Sequence, residues 1–453
     1  MVDRIYHGAL VVTGPRDAHP FVGDVGIDGD TIAFVRPTTG AVVGGGSAPD
    51  TWPPASHPAA EHVDATGHVL LPGLVNGHLH PTPALLRTAL AATTIDHQDG
   101  HPLADGLYAA LTADRETLRL SAKLAITEAI SSGTTALCLH EYLDPVVAAE
   151  VAADLGIPAT VALHPEPGGT AWRDTLRQVQ DTGCSAMLAG VNENDPDHTP
   201  EYLRELVTHA GDLGIRVHTH VSETTLRHET TRARTGRSPI RYYQALGLLD
   251  HLYAVHCTAV EPADIDLLAD HRVPVVLTPS SEALLGDGTP PLPALLAAGA
   301  RLALGTDGSA WAGSEDLLAE LRATALLTRA RWGPEAVDGA QLIELATLGG
   351  ADVLDTPDTR GAIEPGRRAD LVLLDARRPG LRPLATTDGP LSTARDVLAF
   401  AATGADVVET TIGGRVRYRR DGPGLLAGDE LAELDERARR VWRDSGAATA
   451  TSW

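Results

Sequence analysis

Several short apolar runs in this 453-residue chain end in side chains that can ligate a metal or move a proton. His78 and His80 close LPGLVNGHLH and lie two apart, so on a strand they share one face and can present two imidazoles to one ion. HTHVSE contributes His218, His220 and Glu223. His218 and His220 again share a face, and His220, nearer the strand end, is the one expected to reach beyond it. His256 ends YAVH and Asp307 follows LALGT. Imidazoles with a carboxylate make a borderline N/O donor set suited to Zn²⁺ or Fe²⁺. Such an ion lowers the pKa of a bound water toward ~7 and so supplies hydroxide at neutral pH. A lone histidine is more simply a core or surface residue, and it is the repetition at successive run ends that favours a joint site.

The runs imply the elements that carry them. VLLPGLVNGHLH, ALCLHE, ATVALHPE, AMLAGVNEN, IRVHTHVSE, LYAVHC, VPVVLTP and RLALGTDG read as eight buried strands. Between them lie amphipathic stretches such as RETLRLSAKLAITEAISSG and TPEYLRELVTHAGDLG, each ending in a glycine suited to a helix C-terminus. Eight apolar strands alternating with helices predict an α/β protein with a (β/α)₈ TIM-like barrel, in which reacting groups stand at the C-terminal strand ends. A doubly wound open sheet is the competing topology, but no GxGxxG fingerprint follows the first strand.

Outside the barrel the pattern is all β. ALVVTG, DVGIDGD and TIAFVRP precede it, and ADLVLLDA, DVLAFAATG and DVVETTIGGRVRYRR follow it. They predict a small β-sandwich domain built from both termini, residues 1–70 with 359–425, around a catalytic barrel over 71–358. A charged amphipathic helix at 428–444 lies within a C-terminal segment, 426–453, and is expected to pack on the barrel's outside. Residues 41–60, rich in Gly, Pro, Ser and Ala, read as a surface loop.

Composition narrows the function classes. A formal charge of -24 argues against nucleic acid or an anionic membrane as partner. No stretch reaches the ~18 apolar residues of a spanning helix. The opening MVDRIYHGALVVTG meets Asp3 before any apolar run and offers no small-residue cleavage site, so a secretory leader is not expected. Cys138, Cys184 and Cys257 are too few and too scattered for a disulfide framework, which points to a reducing cytoplasm. With only 4% aromatics, the core must rest on Leu, Val, Ile and Ala.

LPGLVNGHLH, SGTT at 132–135, HTHVSE, VHC, TPSSEALLG, LGTDG and LATLGGADVL leading to GAIEPGRRADLVLLD occur in an order that spans nearly the whole chain. In that order they resemble the amidohydrolase superfamily, in the branch of cytosine, guanine and adenosylhomocysteine deaminases and triazine chlorohydrolases. The resemblance implies one divalent ion, Zn²⁺ or Fe²⁺, on His78, His80, His220 and Asp307. It implies Glu223 as the acid/base that protonates a ring nitrogen, His256 as the group that orients the hydroxide, and Asp307 as the acceptor of the water's proton. Binuclear members bridge their metals with a carboxylated lysine on the fourth strand. Lys123, the only lysine, lies before the second, which favours a single ion, with Glu193 the remaining candidate for a bridge. A homodimer is common among such relatives.

Three segments depart from the family's pattern. His140-Glu141 follows the second strand, Glu193 the fourth, and Ser281-Glu282 the seventh. Glu141, Glu193 and Glu282 are therefore expected to face the pocket and favour a cationic or donor-rich small molecule over a carboxylate-bearing one such as adenosylhomocysteine. Residues 81–110 read as a lid, with Asp96, His97 and His101 as possible substrate contacts; His164 and Glu166 end the third strand as further candidates. Cys257 reads as a small core hydrophobe. The expected activity is hydrolytic release of ammonia from an amino-substituted heterocycle or cyclic amidine or guanidine. The alternatives are hydrolysis of a cyclic amide or a C–Cl bond on the same site, and a non-catalytic metal-holding protein.

Overall fold

The structure, a computed structural model, describes residues 2–38, 60–384 and 393–447. The loop expected at 41–60 (except residue 60) and the last six residues of the expected 426–453 segment lie outside the described residues. Two compact units emerge: Met1–Val75 with Ala129–Ala136 and Asp316–Gly424, and Asn76–Glu128 with Leu137–Glu315 and Leu425–Trp453.

The first unit carries one mixed sheet made from both ends of the chain. Its strands are β1 (Arg4–Val11), β2 (Phe21–Asp28), β3 (Thr31–Pro37), β4 (Glu61–Asp64) and β5 (His68–Pro72) from the N-terminal side. After the barrel strands β6–β13 come β14 (Leu371–Asp375), β15 (Val407–Ile412) and β16 (Arg415–Arg419). The order is β16-β15-β14-β5-β1-β2-β3, with β4 also on β1. β14 runs antiparallel to β5, with Leu373 opposite Leu70, and so joins the two ends of the chain. Side chains from five of these strands, among them Tyr6, Val25, Ile32, Leu70 and Leu373, converge on one core. Residues 316–358 group with this unit, where the helices Leu317–Trp332 and Gly339–Glu344 pack on Ala394–Ala401. The DVLAFAATG run expected as β lies mostly in this last helix, started by Thr393, whose side chain accepts from Asp396 N.

The barrel strands are β6 (Leu74–Leu79), β7 (Thr134–His140), β8 (Ala159–Leu163), β9 (Ser185–Asn192), β10 (Val217–Val221), β11 (Leu252–His256), β12 (Pro274–Leu277) and β13 (Arg301–Leu304), in sequential order. From β7 to β13 each strand pairs parallel with the next. A parallel bridge from Leu79 to Asp307 closes the ring. The eight expected runs supply these eight strands. One run does more than expected: VLLPGLVNGHLH makes two strands in two sheets, β5 and β6, parted at Pro72-Gly73. Proline has no N–H to continue a ladder, so the chain changes sheet there.

Helices cover the barrel strands. Pro200–Leu213 starts where Thr199 accepts a hydrogen bond from Tyr202 N and ends at Gly214 with φ +64°. The C-terminal helix Gly428–Asp444 lies against the helix Pro102–Thr112, buries Leu434 and Val441, and ties Glu430 to Lys123 at 2.5 Å. All three cysteines are buried thiols outside any disulfide. Among the described residues no helix is long and apolar enough to cross a membrane.

Candidate active site

The expected metal ligands and His256 stand at C-terminal strand ends of the barrel. His78 is the fifth residue of β6 and His80 follows the strand; His220 lies in β10, His256 ends β11, and Asp307 follows β13. One ring nitrogen from each of His78, His80, His140 and His220 lies within 4.8 Å of the others. Asp307 Oδ1 is 3.6 Å from His78 Nε2 and 3.5 Å from His80 Nε2. Tetrahedral ligands ~2.1 Å from an ion stand about 3.4 Å apart, so these separations suit one shared ion.

The protonation chemistry agrees with that fit. Burial, reinforced by the neighbouring imidazoles, pushes His78 and His80 well below the ordinary histidine range, and burial also lowers His220. Neutral imidazole is the ligating form. His220 Nδ1 donates to the Val191 carbonyl at 2.5 Å, which leaves Nε2 with its lone pair. His78 Nδ1 pairs with His218 Nε2 at 3.1 Å, while His78 Nε2 is buried with no hydrogen-bond partner among the described residues. Such a donor set fits a divalent ion.

Local backbone puts these groups where they are. Ser222, His256 and Asp307 have φ of +46°, +71° and +62°, a costly region for non-glycine residues that surrounding contacts must hold. At Gly305 an added Cβ would come within 2.7 Å of His78 N and 2.8 Å of His78 O, so only glycine lets the two strand ends approach. Behind Asp307, Asn76 donates to Thr306 Oγ1 at 2.8 Å, and Thr306 donates to Glu315 at 2.7 Å. Glu315 also accepts from Ser309 N at 2.8 Å.

An ionisable pair, His256 and Glu223, stands beside the imidazole cluster. His256 Nε2 is 3.5 Å from Glu223 Oε1, and His256 Nδ1 is 3.0 Å from Thr278 Oγ1 and 3.4 Å from Glu282 Oε1. Burial opposes charge on His256, but Glu223, Glu282 and Asp307 outweigh it and hold its pKa up at about 9. Burial likewise opposes charge on Glu223, yet His256 and Arg227 keep its carboxyl below the usual range.

A cavity of about 280 Å³ opens onto these groups. His80, His220, Glu223, His256 and Asp307 line its reactive end, and Tyr108, Tyr142 and Trp311 supply flat aromatic walls. Of the segment expected as a lid, Ile95, Gln98, Asp99, Ala104 and Asp105 line it.

The three acids expected to face the pocket do not line it. Glu141 accepts from Thr82 Oγ1 at 2.8 Å and Leu143 N at 2.6 Å, and burial raises its pKa to about 7. Glu193 accepts from Ser222 N at 2.9 Å and is likewise raised by burial to about 7. Glu282 supports His256 from behind and accepts from Thr278 N at 3.0 Å. All three turn into the wall, where they accept from backbone N–H groups: Leu143 N for Glu141, Ser222 N for Glu193 and Thr278 N for Glu282. His164 bonds His140 at 2.7 Å, outside the cavity lining. On the short helix Ile95–Gln98, Ile95 and Gln98 point inward three residues apart, which leaves His97 exposed. His101 caps the helix Pro102–Thr112, Asp96 binds Arg227, Glu166 is exposed, and Cys257 is buried.

Sequence reasoning missed His140 as a member of the imidazole cluster, although its place at a strand end beside Glu141 was a signal. It also missed Arg227, whose guanidinium is buried between Glu223, Asp96 and Asp99. A helical Arg four residues after a Glu ordinarily reads as an exposed surface pair.

Comparison with known proteins is consistent along the chain. The amidohydrolase family matches residues 69–417. The 5-methylthioadenosine/S-adenosylhomocysteine deaminase of Moorella thermoacetica is 31% identical, over 92% of this chain and 95% of that protein. The 5'-deoxyadenosine deaminase of Methanopyrus kandleri is 30% identical, over 81% and 84%. Among solved structures, an adenosine deaminase from Xanthomonas campestris with bound zinc superposes with a TM-score of 0.82 at 26% identity, over 98% of this chain and 99% of that one. A zinc-bound atrazine chlorohydrolase from Arthrobacter aurescens shares the fold, with a TM-score of 0.80 at 21% identity over 96% and 99%.

Proposed function

Because this chain belongs to the amidohydrolase family, we propose that it is a metal-dependent hydrolytic deaminase that takes the 6-amino group from an adenosine whose 5' position carries no charge. The observation that carries the reading is one cavity in which flat aromatic walls, Tyr108, Tyr142 and Trp311, lead to Glu223, His256 and the imidazole cluster. A purine stacks on such walls, and its ring nitrogen needs a proton as C6 is attacked. His78, His80, His220 and Asp307 would hold one Zn²⁺, which when bound supplies water activated at neutral pH.

The chain's own groups do the rest. Glu223, held as a carboxylate by His256 and Arg227, takes one proton of the attacking water and delivers it to the purine N1, and Asp307 accepts the other. His256, held by Glu282 and Thr278, fixes the water's direction and balances charge as it develops. A C6–O bond forms, the C6–N bond breaks, ammonia leaves with the proton Asp307 took, and a 6-oxopurine carrying its proton on N1 remains.

The 5' preference follows from the mouth. Asp99 and Asp105 border the cavity, and Arg227, the one guanidinium among the described lining residues, is already matched by three carboxylates. The carboxylate of a zwitterionic amino-acid tail finds no uncompensated cation there. Ammonia release from 5'-deoxyadenosine, 5'-methylthioadenosine, adenosine and adenosylhomocysteine tests this. The expected result is kcat/KM at least about tenfold higher for the first two than for adenosylhomocysteine, the worth of ~1.4 kcal/mol. Preference for adenosylhomocysteine would overturn the 5' assignment, and no ammonia from any of the four would overturn the substrate class.

A further inference from the structure

We propose that Arg227 is a positioning residue that couples closure of the lid, residues 81–110, to the aim of the proton carrier Glu223; the inference rests on the role proposed above for Glu223. Arg227 is the third residue of the helix Thr225–Thr235, and its side chain is only 7% exposed. Its three nitrogens each take a different carboxylate. Nη1 donates to Glu223 Oε2 at 2.5 Å, Nε to Asp96 Oδ1 at 2.9 Å and Nη2 to Asp99 Oδ2 at 2.8 Å. Only the first belongs to the reacting groups; the other two belong to the lid.

The arrangement divides Glu223 into two oxygens with different tasks. Oε2 is fixed by the guanidinium, and Oε1 remains toward His256 Nε2, 3.5 Å away, and the cavity. A planar guanidinium with its other two edges occupied cannot rotate, so the plane of the Glu223 carboxylate is set with it. When Asp96 and Asp99 move away, Arg227 keeps one partner and that constraint is lost.

The lid is docked on both flanks of the cavity through the same short helix. On one side Thr224 donates to Asp96 Oδ2 at 2.9 Å, next to the Arg227 contacts. On the other, Trp311 Nε1 donates to Gln98 Oε1 at 2.9 Å, and Gln98 Nε2 donates to the Leu90 carbonyl at 2.6 Å. The helix Ile95–Gln98 therefore spans from the cavity wall at Trp311 to the arginine that aims Glu223. A lid resting on substrate completes the reacting geometry only once both ends are seated.

Four variants separate this role from a structural one. Arg227→Gln should lower kcat about 100-fold with KM changed less than about threefold, as expected when a reacting group is misaimed rather than removed. Arg227→Ala should regain activity on added guanidinium, and Asp99→Asn, at an exposed lid position, should speed hydrogen exchange over residues 81–110. Glu223→Gln is the reference. If it keeps full activity, the role of Glu223 fails and this inference with it. If it is inactive while Arg227→Gln matches the wild type, only the coupling fails. A loss in Arg227→Ala that guanidinium does not restore, or unchanged lid exchange in both Arg227→Gln and Asp99→Asn, also overturns the coupling.

Discussion

Carboxylates in this barrel differ by what they touch. Glu223 and Asp307 border the cavity, while Glu282 stands behind His256, 3.4 Å from Nδ1. The two placements predict different kinetics. Glu282→Gln should lower kcat about 10- to 100-fold, the range for groups that orient a working histidine, with KM nearly unchanged. Steady-state kinetics on the preferred adenosine checks it, and a KM effect alone would return Glu282 to the pocket wall. The strand-end positions of His78, His80, His220, His256 and Asp307 were legible in the sequence because alternation assigns a face and run endings assign a depth. For Glu141, Glu193 and Glu282 only the position could be read. Whether a loop carboxylate turns to the pocket or to a neighbouring N–H depends on the loop's path, which no periodicity records.

At the scale of elements, two features hold the strand end that bears Asp307. The first is the close approach of Gly305 to His78. Gly305→Ala would place a methyl 2.7 Å from a backbone nitrogen that cannot yield, so the variant should bind metal more weakly and melt lower, by titration and by thermal denaturation. The second is Glu315, whose pKa burial raises from 4.5 to about 8, with Glu128 adding to the shift. Its folded-state pKa lies above the unfolded one, so the stability its proton contributes is complete below 4.5 and lost as pH rises through about 8. Glu315→Gln should therefore lose less Tm than the wild type between pH 6 and pH 9; equal slopes would show that Glu315 is ionised throughout. The eight barrel strands were readable because each is a short apolar run with a polar end. The break inside VLLPGLVNGHLH was not, since both halves are buried and hydrophobicity does not report a change of sheet at Pro72-Gly73.

For the whole molecule, the proposed ligands come from positions as far apart as His78 and Asp307, so an ion held by them binds only the folded barrel. Ligand that binds only the folded state stabilises it by about 2.7 kcal/mol at a hundredfold excess over Kd. Chelation should therefore lower Tm as well as abolish turnover. The imidazole cluster, the lid with Arg227 and the aromatic walls all belong to the barrel unit, and they meet at the mouth of a ring closed by Leu79 and Asp307. The most direct test of a one-ion deaminase is to strip the protein of metal and follow ammonia release from 5'-deoxyadenosine as Zn²⁺ is restored. The predicted result is no turnover in the stripped protein and a linear rise that levels off at one equivalent per chain. Undiminished ammonia release without metal, or a plateau reached only at two equivalents, would contradict it.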